Sequence, residues 1–73
     1  MAKPPLLSGR EVVAALKRAG YVQVGQKGSH IKLWHPEIHS ILIIPAHREV
    51  DRYTLKGILH SAGITVEEFL DLL

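Results

Sequence analysis

The sequence predicts an α+β domain in the order α-β-β-β-α, with a three-stranded antiparallel sheet, two helices on one face of it and a short third helix at the C-terminus. Three observations lead there. Helix-start signals and helical apolar spacing occur towards both ends of the chain. The middle holds three alternating, β-prone runs separated by connections bearing glycine or proline. At 73 residues the length provides for one domain over 1–73, with 1–6 as a flexible N-terminal tail. Connections this short join antiparallel neighbours, not parallel strands.

The first helix is predicted over about 9–19. Ser8 and Glu11 form a capping box, in which each side chain satisfies the other's free backbone N–H, and Leu7 and Val12 sit at the two staple positions. Val12, Leu16 and Ala19, with Ala15 beside them, make one apolar stripe, and Gly20 stops the helix. Tyr21–Val24 alternates as a first strand, and the loop Gly25-Gln26-Lys27-Gly28-Ser29 is expected to end it. His30–His35 is a second strand, ended by Pro36, and Ser40–Ile44 a third, ended by Pro45. Asp51 caps a second helix in which Leu55, Ile58, Leu59 and Ala62 recur at helical spacing before Gly63. Thr65 and Glu68 repeat the capping box, with Ile64 and Phe69 as the staple pair, so the chain closes on a short helix carrying Phe69, Leu72 and Leu73.

One packing solution follows. The sheet lays one face on both helices. On the second strand Ile31, Leu33 and His35 point one way, and His30, Lys32 and Trp34 the other. The aliphatic set faces the helices. The opposite face is expected to be tolerably polar, open to water or a partner.

Composition narrows the function. There is no cysteine, which excludes disulfide frameworks and thiolate metal sites and fits a reducing cytoplasm. Hydrophobic residues make up 47% and charged residues 22%, values of a folded domain. The longest apolar run, Ile41–Ile44, is far below the ~20 residues of a membrane span. No secretory leader is expected, since Met1–Pro5 runs straight into a helix start. The net charge of +2 is uneven: residues 1–35 carry +5 and residues 36–73 carry −3. A basic face of that kind suits phosphates.

The chemistry concentrates at Lys27-Gly28-Ser29-His30. Glycine lets a backbone approach a ligand closely. Lys27 and Lys32 bring positive charge to the same place, and histidine is the side chain best suited to proton transfer near neutral pH. RNA carries its own nucleophile, the 2′-hydroxyl. A group that removes that proton, with cations holding the developing charge, suffices for cleavage without a metal. Trp34, on the same strand face, can stack on a base or meet a protein partner.

With these residues the chain resembles the HicA (YcfA-like) toxin family of bacterial toxin–antitoxin pairs. The parts that carry the resemblance are Ala19-Gly20-Tyr21 at the end of the first helix, Gln26-Lys27-Gly28-Ser29-His30, His35-Pro36, Pro45-Ala46-His47, and the closing segment from Ala62 to Leu70. The resemblance implies a double-stranded-RNA-binding-like fold and a ribonuclease that cuts mRNA and blocks translation. It implies His30 as the catalytic residue and a HicB-like antitoxin as protein partner. The residues themselves put Lys27, Gly28, Ser29, Lys32 and Trp34 around the RNA, with no cofactor expected. Three positions depart from the family pattern: Leu33 where phenylalanine is usual, Trp34 where a polar or basic residue is common, and Glu37-Ile38-His39 where the turn is often Asp-Gly.

The other histidines have plainer readings. His35 and His39 flank a turn with Glu37, but two turn histidines fall short of the three or four converging ligands a zinc-type site uses. His47, in the family's Pro-x-His position, can approach the substrate but is expected in a structural loop role, and His60 is expected on the surface. Two functions stand beside each other: a metal-independent endoribonuclease, and a non-catalytic RNA-binding module of the same fold, since fold alone does not decide function. RNA-binding modules of this fold place a lysine cluster at the start of the last main helix. Asp51–Lys56 has none. An inert interaction domain would leave the Gly-Ser-His loop unexplained.

Overall fold

In the computed structural model, which describes residues 6–73, helix α1 spans Gly9–Arg18, strands β1, β2 and β3 span Val22–Lys27, His30–His35 and Ser40–Pro45, and helices α2 and α3 span Arg52–Ala62 and Val66–Leu70. The tail expected over 1–6 falls outside the described residues except for Leu6. The strands form one antiparallel sheet in the order β1-β2-β3. The α+β order read from the sequence is the order of the fold.

Local chemistry sets the helix ends. Ser8 Oγ accepts from the Glu11 amide at 3.2 Å while the Glu11 carboxylate accepts from the Ser8 amide at 3.0 Å. Thr65 and Glu68 make the same reciprocal pair. Asp51 caps α2 by accepting from the Thr54 amide at 2.8 Å. That bond, the largest cause, holds the exposed Asp51 carboxyl below its ordinary pKa. At the end of α1, Gly20 at φ 103° lets its own N–H reach the Lys17 carbonyl and the Tyr21 N–H reach Leu16, closing the last turn.

The first strand runs further than the sequence suggests. It continues to Lys27, and the loop expected over 25–29 shrinks to a two-residue turn at Gly28-Ser29. A bulge between Gln23 and Gly25 absorbs the extra residue, so that Val24 and Gly25 together oppose Lys32. Gly28 at φ 59°, with no positive φ at Ser29, is the pattern of a type II′ hairpin turn, whose twist matches the strands it joins. Tyr21 lies just before the strand, buried, with its hydroxyl donating to Ser40 Oγ at 2.7 Å. The second hairpin carries the four-residue connection Pro36–His39, with His39 at φ 52°.

The core lies between the sheet and the helices. Val12 and Leu16 of α1, Leu33 and Ile44 of the sheet, Leu55 and Leu59 of α2, and Phe69 of α3 are fully or almost fully buried. The outer face departs from the expectation of polarity. Val22, Val24, Ile41 and Ile43 lie there 46%, 52%, 54% and 49% exposed. The reason is the run Ser40–Ile44: consecutive aliphatics on a two-faced strand cannot all turn inward, and Leu42 and Ile44 take the core.

Candidate active site

Register arranges the outer face as three cross-strand rows. Val22, Trp34 and Ile41 form the first. Val24 with Gly25, then Lys32, then Ile43 form the second. Lys27, His30 and Pro45 form the third, at the end of the sheet next to the Gly28-Ser29 turn. Two lysines and a histidine occupy these rows, and no acidic residue does. An open concavity lies over the second and third rows, lined by the 25–30 segment, Lys32 and Ile43.

The turn is held in place from two sides. The Gln26 side-chain amide donates to the Gly28 carbonyl at 3.1 Å. Ala46, just past β3, donates its N–H to the Ser29 carbonyl at 2.6 Å. His30, which follows this turn, therefore has a fixed backbone. Its exposed imidazole makes no side-chain hydrogen bond among the described residues. The arrangement presents an exposed imidazole on one surface with two lysines, Lys27 opposite it and Lys32 in the next row. Such a surface can bind an anion, hold charge that grows on it, and exchange a proton with it.

The residues singled out in the sequence separate into two groups. Lys27, Gly28, Ser29, His30 and Lys32 come together around the concavity. Trp34 shares the face but stands in the first row, half-buried, with its indole against the His39 ring, centroids 5.3 Å apart. His35 turns inward instead. Its Nε2 lies 3.0 Å from the Ala19 carbonyl oxygen, its Nδ1 accepts from the Glu37 amide at 3.3 Å, and Tyr21 meets its ring edge-on at 5.0 Å. Since a carbonyl only accepts, Nε2 carries the hydrogen of this ring. A Cβ at Gly20 would stand 2.5 Å from that Nε2, so glycine is required there for space as well as for φ. His35 is a structural clasp between α1 and the sheet. His35 and His39 do not converge, and the described residues hold no group of three or more histidine, cysteine, aspartate or glutamate side chains able to hold a metal ion.

The sequence reading missed the aliphatic flank of the site, Val22, Val24, Ile41 and Ile43. The signal was present in Ile41–Ile44, four apolar residues in a strand of a sheet whose helices cover a single face.

A family model described as the HicA toxin of bacterial toxin–antitoxin matches residues 9–64 of the 73-residue chain. Among curated proteins none matches it.

Proposed function

The chain belongs to the HicA toxin family, and from that membership we propose that it is a metal-independent endoribonuclease that cleaves mRNA and so blocks translation, with His30 as its acid–base group. The observation that carries the reading is the unpaired, exposed imidazole of His30 flanked by Lys27 and Lys32 on a surface whose three rows hold no acid. Lys27 shares the row of His30 and Lys32 lies in the next, so both ammonium groups reach a phosphate held at the imidazole. Their charge offsets what builds on its non-bridging oxygens as the 2′-oxygen attacks. The Gly28-Ser29 turn leaves open space in front of the backbone, where a Cβ at Gly28 would meet nothing within 4 Å. Base readout is assigned to Trp34, whose ring offers a stacking surface four residues along β2 from His30.

The partner in this reading is a HicB-like antitoxin. A protein that lays an acidic group over Lys27 and Lys32 and apolar side chains over Val22, Ile41 and Ile43 excludes RNA by the same contact. No described helix is long and apolar enough to cross a membrane, and the proposed place of action is the cytoplasm, where mRNA is found.

The test is cleavage of RNA by the purified chain in the presence of a chelator, with intact RNA and with RNA carrying 2′-deoxy or 2′-methoxy sugars at the cut sites. Cleavage of intact RNA is expected to persist with the chelator and to stop with the modified sugars. His30→Ala is expected to lose about 10²–10⁴-fold in rate, the usual worth of a positioned proton-transfer group, while keeping its fold. A folded His30→Ala that cuts at the unaltered rate removes His30 from the chemistry. RNA binding without cleavage by the unaltered chain would favour the non-catalytic module.

A further inference from the structure

The β2–β3 ladder does not stop at its last strand pair. Beyond His30 and Pro45, the bond from the Ala46 amide to the Ser29 carbonyl adds one more rung in the same register. Ala46 packs against the core. β3 itself ends at Pro45; carried past that end, its alternation assigns the next exposed side chain, His47, to the face that carries His30. A residue two places beyond a direct cross-strand partner is a diagonal neighbour, with roughly 7–8 Å between Cα atoms. The backbone of His47 is anchored as well: the Gly9 amide at the start of α1 donates to the His47 carbonyl at 2.9 Å. Its imidazole is exposed and, like that of His30, makes no hydrogen bond among the described residues. On that extension two exposed imidazoles share one face at the same end of the sheet, each on a backbone held by tertiary contacts.

We propose that His47 is a second proton-transfer group of this site, acting on the opposite side of the scissile phosphate from His30; the proposal rests on the ribonuclease reading above. In that reaction the 2′-oxygen bonds to phosphorus and the bond from phosphorus to the 5′-oxygen breaks. The products are a 2′,3′-cyclic phosphate and a 5′-hydroxyl. One proton leaves the 2′-hydroxyl and one must reach the departing 5′-oxygen. Attacking and leaving oxygens lie roughly in line across the phosphorus. A single imidazole fixed on one side is poorly placed for both, whereas a pair separated by a diagonal of the sheet can flank the phosphate. One ring takes the 2′-proton, the other gives a proton to the 5′-oxygen, and exchange with water restores both. His47, for which the sequence favours a loop role over an approach to the substrate, thereby becomes a partner in the chemistry.

The experiment measures single-turnover cleavage at saturating RNA for the unaltered chain, His30→Ala and His47→Ala, with thermal melts to establish that each variant is folded. Because the anchoring bond of His47 uses its backbone carbonyl, His47→Ala is expected to fold and to bind RNA as the unaltered chain does. It is expected to cut about 10²–10⁴-fold more slowly and to recover part of that rate when imidazole is added to the buffer. RNA with sulfur in place of the bridging 5′-oxygen has a leaving group that needs no proton. It is expected to restore the rate to whichever of the two variants lacks the donor, and not to the other. Cleavage by folded His47→Ala at the unaltered rate overturns the proposal. So does a slow His47→Ala that neither imidazole nor the sulfur-bridged RNA restores, because a purely structural histidine behaves that way. An unaltered chain that cuts no RNA is a different result, which removes the ribonuclease reading and this proposal with it.

Discussion

Replacing Gly9 by alanine adds one methyl group where α1 meets the segment after β3, and its effect follows from two opposed terms. A Cβ built at Gly9 overlaps the Pro45 carbonyl oxygen and stands 3.0 Å from Ala46 Cα. Both are backbone atoms, which cannot swing aside as a side-chain end can. Forcing a methyl into such a contact costs about 1–3 kcal/mol, and separating the segments also strains the Gly9–His47 hydrogen bond, worth about 0.5–1.5 kcal/mol. Against this, glycine to alanine inside a helix gains at most about 1 kcal/mol, and less at the first helical position. A net loss of about 2 kcal/mol is expected. For a domain of this size that is a large share of roughly 3–5 kcal/mol and lowers Tm by about 8–16 °C. Gly57→Ala is the matched control. Gly57 lies within α2 with nothing within 4 Å of its added Cβ, so the same change there is expected to raise stability by about 0.5–1 kcal/mol. Thermal melts followed by circular dichroism, run on both variants together, decide it. A Gly9→Ala chain melting at or above the unaltered one would refute the close approach of α1 to residues 45–47, and with it the anchoring of His47.

The remaining expectations concern charge and cover. Lys27→Ala and Lys32→Ala are each expected to weaken binding of every RNA sequence and to flatten the salt dependence by about 0.7 per lost single-strand contact; unchanged slopes in both would move the RNA surface to Arg10, Lys17 and Arg18 on α1. A larger loss in rate than in binding on removing Lys27 would place that ammonium over the reacting phosphate. The Asp51 carboxyl titrates below its ordinary value because Thr54 hydrogen-bonds its charged form, so its support of α2 is complete above that ordinary value and disappears as pH falls through the lowered one. Asp51→Asn is therefore expected to narrow the difference in Tm between pH 7 and acid, and an unchanged difference would count against the cap. When the antitoxin binds, hydrogen exchange is expected to slow across 22–35 and 40–45. Protection confined to α3 would place the partner elsewhere.

Most of the fold was legible because its signals are local. Ser8 with Glu11, Asp51 with Thr54, and Thr65 with Glu68 each satisfy backbone groups within three residues. The inward residues of β2 follow from alternation along six positions. The Gly-Ser-His corner was legible as well, since a turn and the residue after it are neighbours in sequence. By itself, then, the chain determined its helices with their caps, its three strands, and a basic corner bearing His30. Tertiary structure decided the rest. The bulge at Val24 and Gly25 depends on what β2 presents opposite it. The clasp of His35 depends on the Ala19 carbonyl, sixteen residues away. The exposed aliphatic rows depend on which face the helices cover, and the anchoring of the segment after β3 on the bonds from Ala46 to Ser29 and from Gly9 to His47. The physical reason is common to all four. Caps and alternation are settled among atoms that the covalent chain already holds close, whereas register and facing are settled only when separate segments compete for one core.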